Sequence, residues 1–187
     1  MLIIYKMRLL LFLSLLPSIF SYNLFDFYNL SSNPLEFHTC CSISPKLLDT
    51  TKLVIEHINS HDIINISLKD GIFSHEINDV NTICDYKDDY KGYGFTLLTT
   101  SDEDIYISQK LLETNNTLYN VVLHEFIHAL GLNHTSIPSI MNYKIEVQSG
   151  SLFGNKIIVE DREKQYLSID DMNGLKAIKK KYDDYIK

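Results

Sequence analysis

Three histidines and a glutamate fall in one short run, His124 to His134, which reads HEFIHALGLNH. His124 and His128 are four apart, so on a helix they lie one turn apart on the same face, where two imidazoles can bind one metal ion. Glu125 stands beside the first of them, able to reach a metal-activated water without ligating the metal. Gly131 follows three residues after His128, and glycine adopts the left-handed conformation that ends a helix and turns the chain back. That return delivers His134 as a third nitrogen ligand. Three histidines leave a fourth position for water, the pattern of a catalytic zinc rather than a structural one. HExxH alone arises by chance on solvated helix faces, and the glycine and third histidine at the required spacings are what separate this run from that background.

Such a site needs a helix to carry it and a fold to hold the helix. Asn115–Asn116 reads as a turn, Thr117 as the helix cap, and Leu118, Val121, Val122, Phe126, Ala129 and Leu130 as apolar flanks. Upstream, Glu36 to Ile43 is a weak strand and Ser44 to Ser60 a helix with Pro45 near its start. Ile63 to Leu68 is a strand ended by a turn at Lys69-Asp70-Gly71. Further strands are expected over Asp79 to Ile83, Gly92 to Leu98 and Ile105 to Ser108, with Asp85 to Lys91 a polar loop and Ser101 to Asp104 a charged turn. Downstream, Pro138 to Tyr143 reads PSIMNY and Lys144 to Glu163 is long and irregular. Ser168 to Asp184 is a last helix, with Ser168 and Asp171 as a capping box and Lys179 to Lys181 near its C-terminal end. These elements predict an α+β fold: a small twisted mixed sheet with an early helix, a site-bearing helix and a C-terminal helix.

The chain has 187 residues, enough for one domain with a real core. Its formal net charge of −7 argues against a nucleic-acid partner, which calls for a basic stripe. Residues 1–21 read as a signal peptide: Lys6 and Arg8 form a basic start, Leu9 to Leu16 an apolar run, and Ser21 a small residue at the cleavage point. The apolar run is short of the ~20 residues of a membrane span, so no stable membrane anchor is expected. Losing Lys6 and Arg8 takes the charge from −7 to −9. The domain then occupies residues 22–187, with 22–37 either a short pro-segment or the start of the domain. A secreted protein fits the sequons at Asn29, Asn65, Asn115 and Asn133, though a glycan on Asn133 would intrude on the metal motif. Of Cys40, Cys41 and Cys84, the first two are poorly placed to pair with each other, so one of them bridging to Cys84 is the simplest arrangement.

HEFIHALGLNH matches the HExxHxxGxxH signature of the metzincin zinc peptidases, and within that clan the chain resembles the matrixins, the family of the extracellular matrix metalloproteinases. Thr135 follows the third histidine, Met141 comes seven residues after His134, Ser139 to Met141 (SIM) resembles the matrixin Met-turn, and LSIDDMNGLKAI, Leu167 to Ile178, resembles the last matrixin helix. The resemblance implies structural roles for Asp170 and Asp171, one tying down the mature N-terminus and the other hydrogen-bonding the Met-turn; as ordinary first-turn helix acids they need neither role. Met141 would form an apolar floor under the metal. The departures are equally plain. No PRCGxPD-like switch is present, no histidine lies between His75 and His124 to hold a second zinc, and a hemopexin-like domain cannot fit. Tyr143 sits where astacins and serralysins carry a tyrosine close to the zinc.

The expected function is a secreted zinc metalloendopeptidase acting on protein or peptide substrates as a monomer. His124, His128 and His134 would hold one catalytic zinc, Glu125 would be the general base, and substrate would lie extended along Gly94 to Leu98. A calcium ion at the acidic stretches Asp85 to Asp89 or Ser101 to Asp104 is a weaker possibility than solvated turns. Two other readings stand beside it: a secreted binding protein that keeps zinc without catalysis, and a zinc hydrolase of a non-protein substrate. The carboxylate of Glu125 speaks for catalysis, since a structural site has no use for a general base.

Overall fold

The computed structural model of the chain describes residues 23–24, 35–40, 43–73, 80–87, 93–98, 102–142 and 163–187. Seven strands lie among them: β1 (Asn23–Leu24), β2 (Leu35–Cys40), β3 (Ile66–Phe73), β4 (Thr82–Tyr86), β5 (Gly94–Leu98), β6 (Glu103–Ser108) and β7 (Leu132–Asn133). Three α-helices accompany them, α1 (Pro45–Asn59), α2 (Asn116–Ala129) and α3 (Ile169–Tyr185). β2 to β6 form a mixed five-stranded sheet in the order β3-β2-β4-β6-β5, with β5 antiparallel to β6 and the other pairs parallel. This is the α+β fold expected, with an early, a central and a late helix. Among the described residues no helix is long and apolar enough to cross a membrane.

Alternation along β2 and β6 turns Leu35, Phe37, Ile105 and Ile107 inward, where they meet α2 and are fully buried. Phe37 meets Phe126 of α2 edge to face, with ring centroids 5.1 Å apart. α1 packs on β3 and on α2, while α2 lies along β5 and β6. α2 therefore crosses the middle of the core, and every residue from Thr117 to Ala129 is buried. One position breaks the apolar pattern: Glu103, on the inward face of β6, is 5% exposed. Its Oε2 has no hydrogen-bond partner among the described residues.

Several boundaries follow the sequence and several do not. Ser44 caps α1 through its side chain, Pro45 opens the helix, and Asp85 Oδ2 accepts from Ser44 N at 2.8 Å. Asp85 and Tyr86, expected in a loop, thus belong to β4, which starts three residues later than the pattern suggested. Lys69-Asp70-Gly71 does not end β3. The strand continues to Phe73, and the pairing His38↔Lys69 and Cys40↔Phe73 leaves two extra residues on β3. The local turn signal is absorbed as a bulge because parallel pairing with β2 resumes beyond it. Thr117 is not the cap of α2 but a buried residue of its first turn; Thr114 Oγ1 takes the amide of Leu118 at 3.2 Å instead. On α3 the capping box of Ser168 and Asp171 is present as read. Lys179 pairs with Asp183 and lies more than one turn before the helix end.

Cys40 and Cys84 form a disulfide between the neighbouring strands β2 and β4. Cys41, Asn29 and most of the stretch read as irregular, including residues 144–162, lie outside the described residues. The two ends of the described chain meet at β7: β1 pairs with it antiparallel, Asn23 opposite Asn133 and Leu24 opposite Leu132, and α3 packs against both strands.

Candidate metal centre

α2 ends where the glycine requires it to. Gly131 has φ 99°, a conformation that side chains with a Cβ rarely adopt, and its amide donates to the carbonyl of His128 at 2.8 Å. The chain reverses into β7, and His134 comes back over the helix. His124, His128 and His134 then form a single group of potential metal ligands, the one group of three found among the described residues. Of the acidic stretches considered for calcium, the described residues Asp85, Asp102, Glu103 and Asp104 do not converge in such a group. Asp85 and Asp104 instead accept hydrogen bonds from Ser44, Gln109 and Thr82.

The orientation of two imidazoles is set by backbone carbonyls. His124 Nδ1 lies 2.7 Å from the carbonyl oxygen of Ile140, and His128 Nδ1 lies 2.7 Å from that of Leu132. A carbonyl only accepts, so both Nδ1 atoms carry hydrogen and both Nε2 atoms present lone pairs. His134 Nε2 stands 3.2 Å from the first and 3.1 Å from the second. It can donate to at most one of them, and the other lone pair then faces a nitrogen with no hydrogen to offer it. A cation between the three atoms relieves that conflict. Zinc bonds of ~2.0–2.1 Å in a tetrahedron put ligand nitrogens about 3.3–3.4 Å apart, close to what is seen. The residues present fit the ion.

The electrostatics agree. Burial pushes His124 down to about 4 and His128 down to about 3, and burial lowers His134 too, so the imidazoles stay neutral as ligands must be. Glu125 is 6% exposed, and burial raises its carboxyl to about 7 while the hydroxyl of Thr96 works the other way. A cation held by the three imidazoles would also favour its charged form. Beside the group opens a cleft of about 420 Å³, lined on one side by β5 and on the other by the histidines and Glu125. The three histidines and Glu125 singled out in the sequence lie together beside this cleft. Sequence reading did not find Thr96, whose Oγ1 lies 2.7 Å from Glu125 Oε2, because nothing in the local pattern marks a threonine on a strand.

The segment after His134 is tied back on itself. Thr135 N donates to the carbonyl of Met141 at 2.9 Å, Met141 N to Ser139 Oγ at 2.9 Å, and Thr135 bridges Asn142. Met141 is buried. Asp171, at the start of α3, binds Ser139 and the backbone of Ile140 in this turn, the role the resemblance implied for one of the two aspartates; burial nevertheless keeps its carboxyl above the usual range. Asp170 is buried beside it. Asn133 lines the cleft and its Oδ1 accepts from His134 N at 2.7 Å, so a glycan on it would fill the space next to the triad. Asn65 and Asn115 are exposed. Tyr143 lies outside the described residues.

The chain also matches a known protein family. The family model described as matrixin matches residues 59–179, from the end of α1 through most of α3. No curated protein matches the chain. Among solved structures the chain is similar to high choriolytic enzyme 1, a hatching-enzyme zinc protease from the medaka fish Oryzias latipes. The identity is 13%, the TM-score 0.49, and the match covers 78% of this chain and 88% of that one.

Proposed function

Because the chain belongs to the matrixin family and is a zinc metalloprotease, we propose that it is a secreted endopeptidase with His124, His128 and His134 as zinc ligands and Glu125 as general base. The observation that supports this reading most is the convergence of three Nε2 atoms beside a buried carboxylate in an open cleft. A purely structural ion would not need that carboxylate, and burying it is costly unless it is used.

A zinc ion in this site supplies Lewis acidity toward the scissile carbonyl and lowers the pKa of water. The chain supplies the rest. Nδ1–H bonds to Ile140 and Leu132 aim His124 and His128 so that their lone pairs meet at one point. Glu125 takes the proton of the attacking water and returns it to the leaving nitrogen. β5 is the edge strand of the sheet and borders the cleft, so an extended peptide can lie along it as an added strand. Such binding holds the middle of a chain and needs neither terminus, which is why an endopeptidase is favoured. Met141 would close the site beneath the metal as an apolar residue.

Secretion is supported by the Cys40–Cys84 disulfide, which suits an oxidising compartment, and by the leader-like residues 1–21. The described parts of 22–37 are strands of the fold, which supports counting them with the catalytic domain. The site needs no residue from a second copy, so a monomer suffices for the proposed activity. The decisive test uses peptides blocked at both ends, incubated with the purified protein with and without chelator. Internal cleavage that chelator abolishes and zinc restores is expected; blocked peptides left intact while free-ended ones are trimmed would rule out an endopeptidase. N-terminal sequencing of protein recovered from the medium tests cleavage after Ser21.

A further inference from the structure

We propose that Thr96 is a positioning residue for Glu125, holding one carboxylate oxygen so that the other is the one presented to the reacting proton. This rests on the reading of Glu125 as the general base. Gly94 and Thr96 are two apart on β5, so they face the same side, toward α2. From that side the Thr96 hydroxyl reaches Glu125 Oε2 at 2.7 Å, with the carbonyl oxygen of Glu125 itself at 3.0 Å. A hydroxyl has one proton, and the charged acceptor at the shorter distance is the stronger partner.

Gly94 forms the second half of the seat. A Cβ placed there would stand 2.9 Å from Val121 Cγ1, 3.1 Å from Glu125 Cγ and 3.2 Å from Glu125 Oε1. A side chain there would crowd Val121 and the Glu125 carboxyl alike. One oxygen is tethered by a donor and the other lies next to Gly94, with Gly94, Thr96 and Glu125 all lining the cleft. A carboxylate on a rotatable side chain would otherwise sample several orientations, most of them unable to meet a proton held near the three histidines. Fixing it in advance lowers the cost of reaching the productive geometry. The strand that is suited to bind the peptide thus also aims the base.

The two roles separate in kinetics. Thr96→Val keeps the shape and removes the donor, while Thr96→Ser keeps the donor and removes a methyl. A hydrogen bond to a charged group is worth ~1.5–3 kcal/mol, so Thr96→Val is expected to lower kcat about ten- to a hundredfold on a peptide substrate. KM should stay within about twofold and zinc content should not change. Thr96→Ser should recover most of the lost kcat. In a Glu125→Gln background, adding Thr96→Val should lower the residual rate no further, since the group it positions no longer takes a proton. A second readout needs no activity: thermal melts of the metal-free protein should show non-additive effects of Thr96→Val and Glu125→Ala, because each removes the same contact. Wild-type kcat in Thr96→Val, or a serine variant as impaired as the valine one, would overturn the proposal. If wild-type protein loaded with zinc cut no peptide at all, the general-base reading would fall, while additive melts would show the contact itself to be without energy.

Discussion

His124 and Asp171 hold the same residue from opposite sides: the imidazole Nδ1–H donates to the carbonyl of Ile140 at 2.7 Å, and the carboxylate of Asp171 accepts from the backbone of Ile140 and from Ser139. The orientation of a metal ligand on α2 is thereby tied to the first turn of α3. Asp171 also accepts from Ser168 N at 2.8 Å, completing its capping box. Asp171→Asn keeps the shape but exchanges a two-oxygen acceptor for one oxygen and an amide donor. It should cost about 1.5–3 kcal/mol in chemical denaturation. Zinc affinity, read by chelator competition, should fall about 10–100-fold as for other groups that support a ligand. A destabilised variant with undiminished zinc affinity would show that Ile140 does not transmit the coupling.

Ligand and base should part company under mutation. His124→Ala, His128→Ala and His134→Ala are each expected to lose zinc and activity together. Glu125→Gln should keep one zinc per chain, by elemental analysis, while hydrolysis falls by at least ~10²–10⁴-fold. Full activity in Glu125→Gln would remove Glu125 from the mechanism.

Gly94→Ala tests the close approach of β5 to α2. Its new methyl would stand 2.9 Å from Val121 Cγ1 and 3.1 Å from Glu125 Cγ, so strand and helix must separate or Glu125 must move. Overpacking of this kind costs about 1–3 kcal/mol. Both the melting temperature and kcat should drop with zinc content unchanged; an alanine variant melting like the parent would mean that the strand yields freely.

Glu103 offers a pH test remote from the metal ligands. Burial, then the neighbouring charges of Asp102 and Asp104, raise its carboxyl from 4.5 to about 7. An acid whose folded pKa lies above its unfolded one contributes stability that is complete below the unfolded value and is lost as pH rises through the folded one. For Glu103 that window runs from about pH 4.5 to about pH 7. Glu103→Gln should therefore match the parent near pH 4.5 and exceed it by about 3 kcal/mol at pH 8. Denaturation curves at the two pH values decide it, and a constant difference between them would contradict the assignment.

The disulfide between β2 and β4 closes a sequence separation of 44 residues. Cys40→Ser with Cys84→Ser should lower stability by about 2–4 kcal/mol, by the entropy returned to the unfolded chain. Equal melting temperatures with and without reductant in the parent would indicate that the bond contributes little.

What could be read from the sequence was what short spacing encodes. The i, i+4 histidines, the glycine after them and the Ser168–Asp171 capping box all depend on residues within one or two turns, so local geometry was enough. Ile105 to Ser108 was legible as a strand, but Glu103 and Asp104, read as part of a charged turn, belong to β6 as well, with the acid of Glu103 in a buried position. Contacts between distant segments were not legible. Nothing near Thr96 announces that its hydroxyl meets Glu125, and nothing near Asp85 announces that it accepts from the amide of Ser44, the cap of α1. Lys69-Asp70-Gly71 carries a real turn propensity that β2 overrides by pairing on both sides of it. Thr117 lost the capping role to Thr114 because the helix starts at Asn116, two residues earlier than a cap at Thr117 implies.

The pairing of β1 with β7 and the packing of α3 on both have a consequence in time. A ribosome delivers the chain from its N-terminus, so β1, the sheet and α2 emerge while α3 is still unmade. The loop bearing His134 then has a strand beside it but no helix to close over it, and Ile140 lacks the carboxylate of Asp171. A chain paused before α3 has emerged therefore holds its three histidines on one helix and one loop but lacks the contact that fixes Ile140 beside His124.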